Sequence, residues 1–384
     1  MSVAKRLGDW FDRRTGWRGM RAEAVAGLAK PVPPRVGWGF TLGSTALGLL
    51  FLQVATGVAL ALHYQPTPEA AHGSVARIMD EVRLGWVVRG MHVWGAHALV
   101  ALVLAHAAKV FVTGGHKRPR ELTWILGAGV MFVMLGLAFT GHLLPWTDQS
   151  YWGAVVGVEQ TRIVPVVGPP TATLLLGGET VAAPTLTRFY VLHLLILPAI
   201  LAKLLFLHLW LVRRHGVSPA ESADEEDARG HAALCAGGEP YAPNHMLREA
   251  IAVAVAAAAV LTAAALWPQE LGPRAGASTP EGVRPEWYFL AVYQYLKYWP
   301  SQLLGLPGET IGICLLSAAL GAFVFLPFLD RSPERRPARR RVALVAGALA
   351  VLLWGTLTAL GAVSDRSIPA FGKTWTFDTW GRPR

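Results

Sequence analysis

Residues 92–106 read HVWGAHALVALVLAH and residues 193–208 read HLLILPAILAKLLFLH, two apolar stretches each opened and closed by histidine. An imidazole inside a lipid-spanning helix is costly and rare, so two matched pairs ask for one shared cause. The fourteen residues from His92 to His106 advance a helix by about 21 Å and return to within roughly 40° of the starting face. The fifteen from His193 to His208 advance it by about 22.5 Å and land roughly 60° past it. Both members of each pair therefore share a side, and two such helices in register bring His92 to His193 and His106 to His208. An iron clamped from both faces at each depth gives two haems, one near each side of a ~30 Å hydrocarbon core. Filling both axial positions disfavours oxygen binding and leaves electron transfer as the chemistry.

The rest of the chain is built for lipid. Of its 384 residues 53% are hydrophobic and 16% charged, and long uncharged runs predict seven spans, at 38–62, 86–113, 122–144, 187–212, 248–267, 309–329 and 342–362. The expected fold is an all-α polytopic membrane bundle. Lys5, Arg6, Arg13, Arg14, Arg18, Arg21, Lys30 and Arg35 precede the first span, Lys117, Arg118 and Arg120 follow the second, and Arg331, Arg335, Arg336, Arg339, Arg340 and Arg341 follow the sixth. By the positive-inside rule these segments face the cytoplasm, which puts the amino terminus inside and the carboxy terminus outside a cytoplasmic (inner) membrane. The net charge of +10 then reports topology, and a nucleic-acid role is excluded. The basic, Trp-containing first 37 residues lack a signal-peptide pattern and are expected to be retained. Cys235 and Cys314 suggest neither a disulfide framework nor a zinc site. The acidic stretch Glu221 to Asp227, ending at Gly230, breaks the apolar pattern and reads as a loop. It divides the chain into a four-helix dihaem part (1–217), a cytoplasmic linker (218–246) and a three-helix part (247–384).

A lone histidine in an apolar helix is ordinarily an interhelical hydrogen-bonder or an interface anchor, and His63, His97, His116, His142, His215, His231 and His245 are read that way. Gly43 and Gly57 on the first span, and Gly127 and Gly141 on the third, repeat the 14-residue interval of the first histidine pair. A flat porphyrin edge needs helix surface without side chains, although close helix packing also selects small residues. Arg89, one turn outward of His92, needs a partner for its charge, and a haem propionate fits. Arg120 and Arg213 could serve the inner haem similarly, or snorkel to lipid headgroups.

Residues 84–92 (LGWVVRGMH), 118–124 (RPRELTW), 141–154 (GHLLPWTDQSYWGA), 187–193 (TRFYVLH) and 285–288 (PEWY) together resemble the cytochrome b subunit of quinol:electron-acceptor oxidoreductases of the bc and b6f type. The chain is similar to cytochrome b6 up to about residue 217 and to its partner, subunit IV, from about residue 238, as a fusion of the two. The 15-residue spacing of the second histidine pair also resembles the b6 type. The resemblance implies that His92 and His193 hold the outer haem bL, and His106 and His208 the inner haem bH, in agreement with the topology. It implies an outer quinol oxidation site made from the run Pro145 to Ala154, with Trp152 and Gly153, and from Pro285, Glu286, Trp287 and Tyr288. Oxidising a quinol removes protons as well as electrons, and a carboxylate such as Glu286 in a largely apolar pocket can accept one. Gly153 would let a ring approach the backbone.

The resemblance further implies that one electron passes to a Rieske iron–sulfur protein and the other through both haems to an inner quinone, with protons released outside and taken up inside. A c-type cytochrome subunit and a homodimeric complex belong to the same picture. Where cytochrome b6 attaches a covalent haem through cysteine, this chain has Thr41, so only two non-covalent b haems are expected. The family's tyrosine before LPW is here His142, so the contact that tyrosine makes at the outer site is not expected. The tail from Asp365 to Arg384 matches nothing in the family. Two rivals share parts of this pattern: a dihaem membrane anchor of a dehydrogenase or hydrogenase, against which PEWY and QSYWGA speak, and a proton-coupled transporter using intramembrane histidines.

Overall fold

The structure is a computed structural model describing residues 3–34, 36–276, 283–370 and 373–383. Arg35, counted above among the basic residues, lies outside the described residues, as do Phe371, Gly372 and Arg384 of the tail. Two short helices, α1 (Val3–Thr15) and α2 (Trp17–Ala29), lead to α3 (Leu42–Ala61), α4 (Ala71–Asp80), α5 (Gly85–Val112), α6 (Glu121–Leu143), α7 (Asp148–Arg162), α8 (Gly168–Leu176), α9 (Ala183–Val191) and α10 (Leu197–His215). After them come α11 (Ala223–Arg229), α12 (His231–Cys235), α13 (Met246–Leu266), α14 (Trp287–Lys297), α15 (Gly308–Val324), α16 (Leu326–Leu329) and α17 (Arg341–Val363). Among the described residues six helices are long and apolar enough to cross a bilayer, and α15 is a shorter apolar seventh. The chain is an integral multi-pass membrane protein of the all-α class. Its strands are two antiparallel hairpins, β1 (Gln302–Leu303) with β2 (Leu306–Pro307) and β3 (Ser367–Ala370) with β4 (Lys373–Thr376).

Two local departures from regular helix matter. Between α9 and α10 the chain does not break but widens into a π turn over Leu192–Ile196, which contains His193. Pro198 has no N–H to offer the Leu194 carbonyl, and a wide turn accommodates the missing bond. The turn absorbs one residue, or about 100° of rotation, so the fifteen-residue interval from His193 to His208 presents its rings as a fourteen-residue interval would. The expected sixth span, 309–329, breaks at Phe325. Pro327 likewise leaves the Phe323 carbonyl without its helical partner, and the Trp124 indole N–H donates to that oxygen at 2.9 Å.

The second part of the chain docks on the first through glycines. A Cβ on Gly48 of α3 would lie 2.5 Å from Val253 of α13, and one on Gly90 of α5 would lie 3.0 Å from Ala264. Small residues there let α13 lie against both helices, where dispersion contacts rather than hydrophobic burial hold helices together in lipid. At the opposite end the acidic stretch corrects the loop expectation. Ser222 caps α11, accepting from the Glu225 N–H at 3.2 Å while Glu225 accepts from the Ser222 N–H at 2.8 Å, a reciprocal capping box. Glu226 on that helix is buried between Arg120 (2.8 Å) and Arg335 (2.6 Å), one cation from each part of the chain. The tail is ordered too, with the Tyr298 hydroxyl donating to the Trp380 carbonyl at 2.9 Å.

Candidate functional site

The histidine quartet forms two facing pairs. The His92 and His193 ring centroids are 6.2 Å apart with planes crossed at 78°, and His106 lies near enough to His208 for the two rings to interact electrostatically. Metal–imidazole bonds of about 2 Å on both sides of one iron, plus the ring radius, place two centroids roughly 6 Å apart. The other ring nitrogen is tied in the way a ligand requires. His193 Nδ1 donates to the Leu137 carbonyl at 3.0 Å and His208 Nδ1 to the Thr123 carbonyl at 2.9 Å. The Thr56 hydroxyl donates to the Leu52 carbonyl at 2.7 Å, so its oxygen accepts from His92 Nδ1 at 2.9 Å. A proton held on Nδ1 leaves the Nε2 lone pair for iron.

Each expected glycine meets one of these rings. A Cβ on Gly57 would lie 3.1 Å from His92 Cε1, on Gly43 3.1 Å from His106, on Gly127 3.1 Å from His208 and on Gly141 2.6 Å from His193. The helix surface that the glycine interval opens thus meets the four imidazole rings directly. Lys109, one turn inward of His106, stacks its ammonium 3.1 Å over the Phe40 ring, a cation the sequence reading passed over.

The arginines divide. Arg89 Nη1 donates to the Gln269 carbonyl at 2.7 Å, leaving further donors of its fork for an anion. Arg120 corrects its expectation: Nη1 and Nη2 clamp Glu226 at 2.9 and 2.8 Å, and Nη2 and Nε reach the carbonyls of His215 and Gly216. That guanidinium is committed to the linker and not to haem or headgroups. Arg213 is exposed.

The expected outer site assembles around Glu286. Pro285 keeps the preceding chain extended and Glu286 is the cap residue of α14, so its carboxylate stands beside a helix N-terminus while Trp287 and Tyr288 enter the helix. His142 of α6 places Nδ1 3.3 Å from Glu286 Oε1, and His97 of α5 places Nε2 4.0 Å from Oε2. The hydrogen bond from His142 outweighs the opposing effect of burial and holds the Glu286 carboxyl below the usual carboxylate range. The tyrosine-to-histidine departure therefore keeps a donor on this wall, and both histidines leave the default list. His142 Nε2 and Trp152 Nε1 are buried without a hydrogen-bond partner, and Gly153 packs on the His142 ring, where a Cβ would lie 3.3 Å from Nε2. An orphaned Nε2 on the ring that meets the Glu286 carboxylate suits a ligand with a hydroxyl or carbonyl oxygen.

Residues 28–216 match the family model described as cytochrome b/b6/petB, and residues 274–376 match cytochrome b(C-terminal)/b6/petD. Cytochrome b6 of Heliobacterium modesticaldum is 43% identical over 211 residues, 55% of this chain and 98% of that protein. The chain belongs to the cytochrome b/b6 family. Cytochrome b/c1 of Bradyrhizobium diazoefficiens is 32% identical over 354 residues, 90% of this chain, which spans 49% of that longer protein. A solved hyperthermophilic respiratory complex III chain superposes with a TM-score of 0.78 at 30% identity, covering 95% of this chain and 92% of that one. Membership makes this a b-type haem protein of electron transport and a subunit of a multi-subunit quinol–cytochrome oxidoreductase, with the b6 and subunit IV parts fused. The petD-type match reaches into the tail that the sequence reading left without a relative.

Proposed function

We propose that this chain is the dihaem cytochrome b of a complex that oxidises quinol on the outer side of a cytoplasmic membrane and returns one of its two electrons across the bilayer. The observation that carries the reading is a junction of consecutive residues: Gly141 packs against His193, and the next residue, His142, reaches Glu286 at 3.3 Å. The residues that would hold the outer haem and those that would take a proton thus meet at one point. His92 with His193, and His106 with His208, would each hold a haem, which when bound would supply one-electron transfer.

What the chain itself does is hold and deprotonate. The Nδ1 hydrogen bonds from His92, His193 and His208 orient the ligand rings. Glu286 takes a proton from a quinol hydroxyl as the general base, and Trp152, Gly153, Pro285, Trp287 and Tyr288 form the apolar wall that excludes water. One electron leaves to a Rieske-type iron–sulfur partner and then a c-type cytochrome, and the other passes inward to a quinone. Protons are released outside and taken up inside. The basic segments after α5 and α16 support an amino terminus on the cytoplasmic side and a carboxy terminus outside, and a homodimer is the assembly proposed from family resemblance.

The test is rapid-mixing optical spectroscopy of the whole complex with quinol. Two b-type components should become reduced, and reduction through the outer site should require an oxidised iron–sulfur acceptor. A single component, or reduction indifferent to that acceptor, contradicts the reading and favours a dihaem anchor; no haem spectrum at all favours a transporter.

A further inference from the structure

Glu286 is approached on each carboxylate oxygen by a different imidazole. His97 comes with its tautomer settled. The Trp287 indole N–H can only donate and lies 3.1 Å from His97 Nδ1, so Nδ1 accepts and the ring proton sits on Nε2, facing the carboxylate. His142 Nδ1 and Glu286 Oε1 both carry lone pairs, and their 3.3 Å approach is attractive only with a proton between them. The ionised carboxylate is the better acceptor, which puts that proton on Nδ1 and leaves the buried Nε2, without a partner among the described residues, as the ring's open acceptor. Next to the carboxylate stand His97 from α5 and His142 from α6, with Trp287 and Tyr288 following Glu286 on α14 and Gly153 of α7 packed on the far side of the His142 ring. The Tyr288 phenol stays neutral, pushed well up by burial and by the charge of Glu286.

We propose that His142, standing where the family carries tyrosine, is a positioning residue that keeps Glu286 aimed and ionised, so that the outer-site base works as a carboxylate–imidazole pair steadied on its second oxygen by His97. The proposal rests on the reading of Glu286 as the proton acceptor. In the proton step one quinol O–H bond breaks and one Glu286 O–H bond forms, while His142 takes no net proton; the electrons leave to the iron–sulfur acceptor and the outer haem. A phenol donates one unchanging hydrogen bond. An imidazole donates the same bond through Nδ1 and keeps an acceptor, Nε2, on its other side.

The experiment is the pH profile of quinol-driven electron transfer through the outer route in the intact complex, from about pH 5 to about pH 8. Glu286 is active when ionised, so His142→Phe should move the acid limb to higher pH by about one unit, which is about a tenfold loss on the limb. His142→Asn retains an N–H donor and should move it less. Haem content and reduction through the inner route should be those of the wild type. An acid limb that overlays the wild type in both variants, or in His142→Asn should the phenylalanine variant fail to assemble, overturns the proposal. Glu286→Gln separates the two ideas: an unslowed outer route means that Glu286 is not the base, whereas a slowed one with unmoved His142 limbs removes only the role of His142.

Discussion

Gly141 and His193 are in direct contact, with space for hydrogen and nothing larger: a Cβ on Gly141 would stand 2.6 Å from His193 Cε1, closer than side-chain carbons approach. The ring cannot swing away, because its Nδ1 is held by the Leu137 carbonyl at 3.0 Å.

Gly141→Ala is therefore expected to weaken or displace the outer haem while sparing the inner one. Overpacking of this kind costs about 1–3 kcal/mol. Haem titration and the redox midpoint of the outer component read the effect, and an alanine variant with both unchanged would show that the ring has room to spare.

The four ligands should fail in pairs. His92→Ala or His193→Ala is expected to remove the outer haem, and His106→Ala or His208→Ala the inner one, because each deletion opens one axial position and leaves a cavity in the bundle. Equal loss of both haems from every single variant of an otherwise assembled bundle would contradict the pairing.

Glu286→Gln preserves shape and hydrogen bonding but removes the base. General-base loss typically slows a reaction about 100-fold to 10,000-fold, so haem reduction through the outer site should slow strongly while reverse reduction through the inner site does not. Both routes are measured in one preparation, and an outer route at the wild-type rate would leave Glu286 as a structural cap of α14.

Glu226→Gln should loosen the joint between the two parts of the chain. Burial pushes this carboxyl up, but hydrogen bonds from Arg120 and His231 and the charges of Arg120 and Arg335 outweigh it and hold the group well below its ordinary value. A depressed carboxyl adds stability above its unfolded value of about 4, and that stability is lost as pH falls through the folded one. Removing one partner from a buried cluster costs about 3–5 kcal/mol. The thermal midpoint in detergent at neutral pH should drop in the variant, and the difference from wild type should shrink only in strong acid. Equal midpoints at neutral pH would mean the cluster is neutral in energy.

No haem is expected to be covalently attached. Thr41 cannot form a thioether, Cys235 is buried in the linker, and Cys314 lies in α15. A peroxidase stain on a denaturing gel should leave the 41.4 kDa band blank, and a stained band would refute this.

Hydrophobic run length and charge placement were enough by themselves to read the membrane class and the order of the spans, and the histidine intervals to nominate four candidate ligands, because each follows from composition or from the constant pitch of a helix. The capping box at Ser222 was also written in the sequence, though charge density disguised it as a loop. What only the tertiary structure decided depends on the register between distant segments. The π turn at His193 arises from a single missing N–H at Pro198, the burial of Glu226 needs Arg120 and Arg335 from opposite parts of the chain, and the meeting of His97, His142 and Glu286 joins α5, α6 and the start of α14. No periodicity encodes such contacts, since they depend on how whole helices pack, and helix packing is set by the summed shape of many side chains rather than by any one of them.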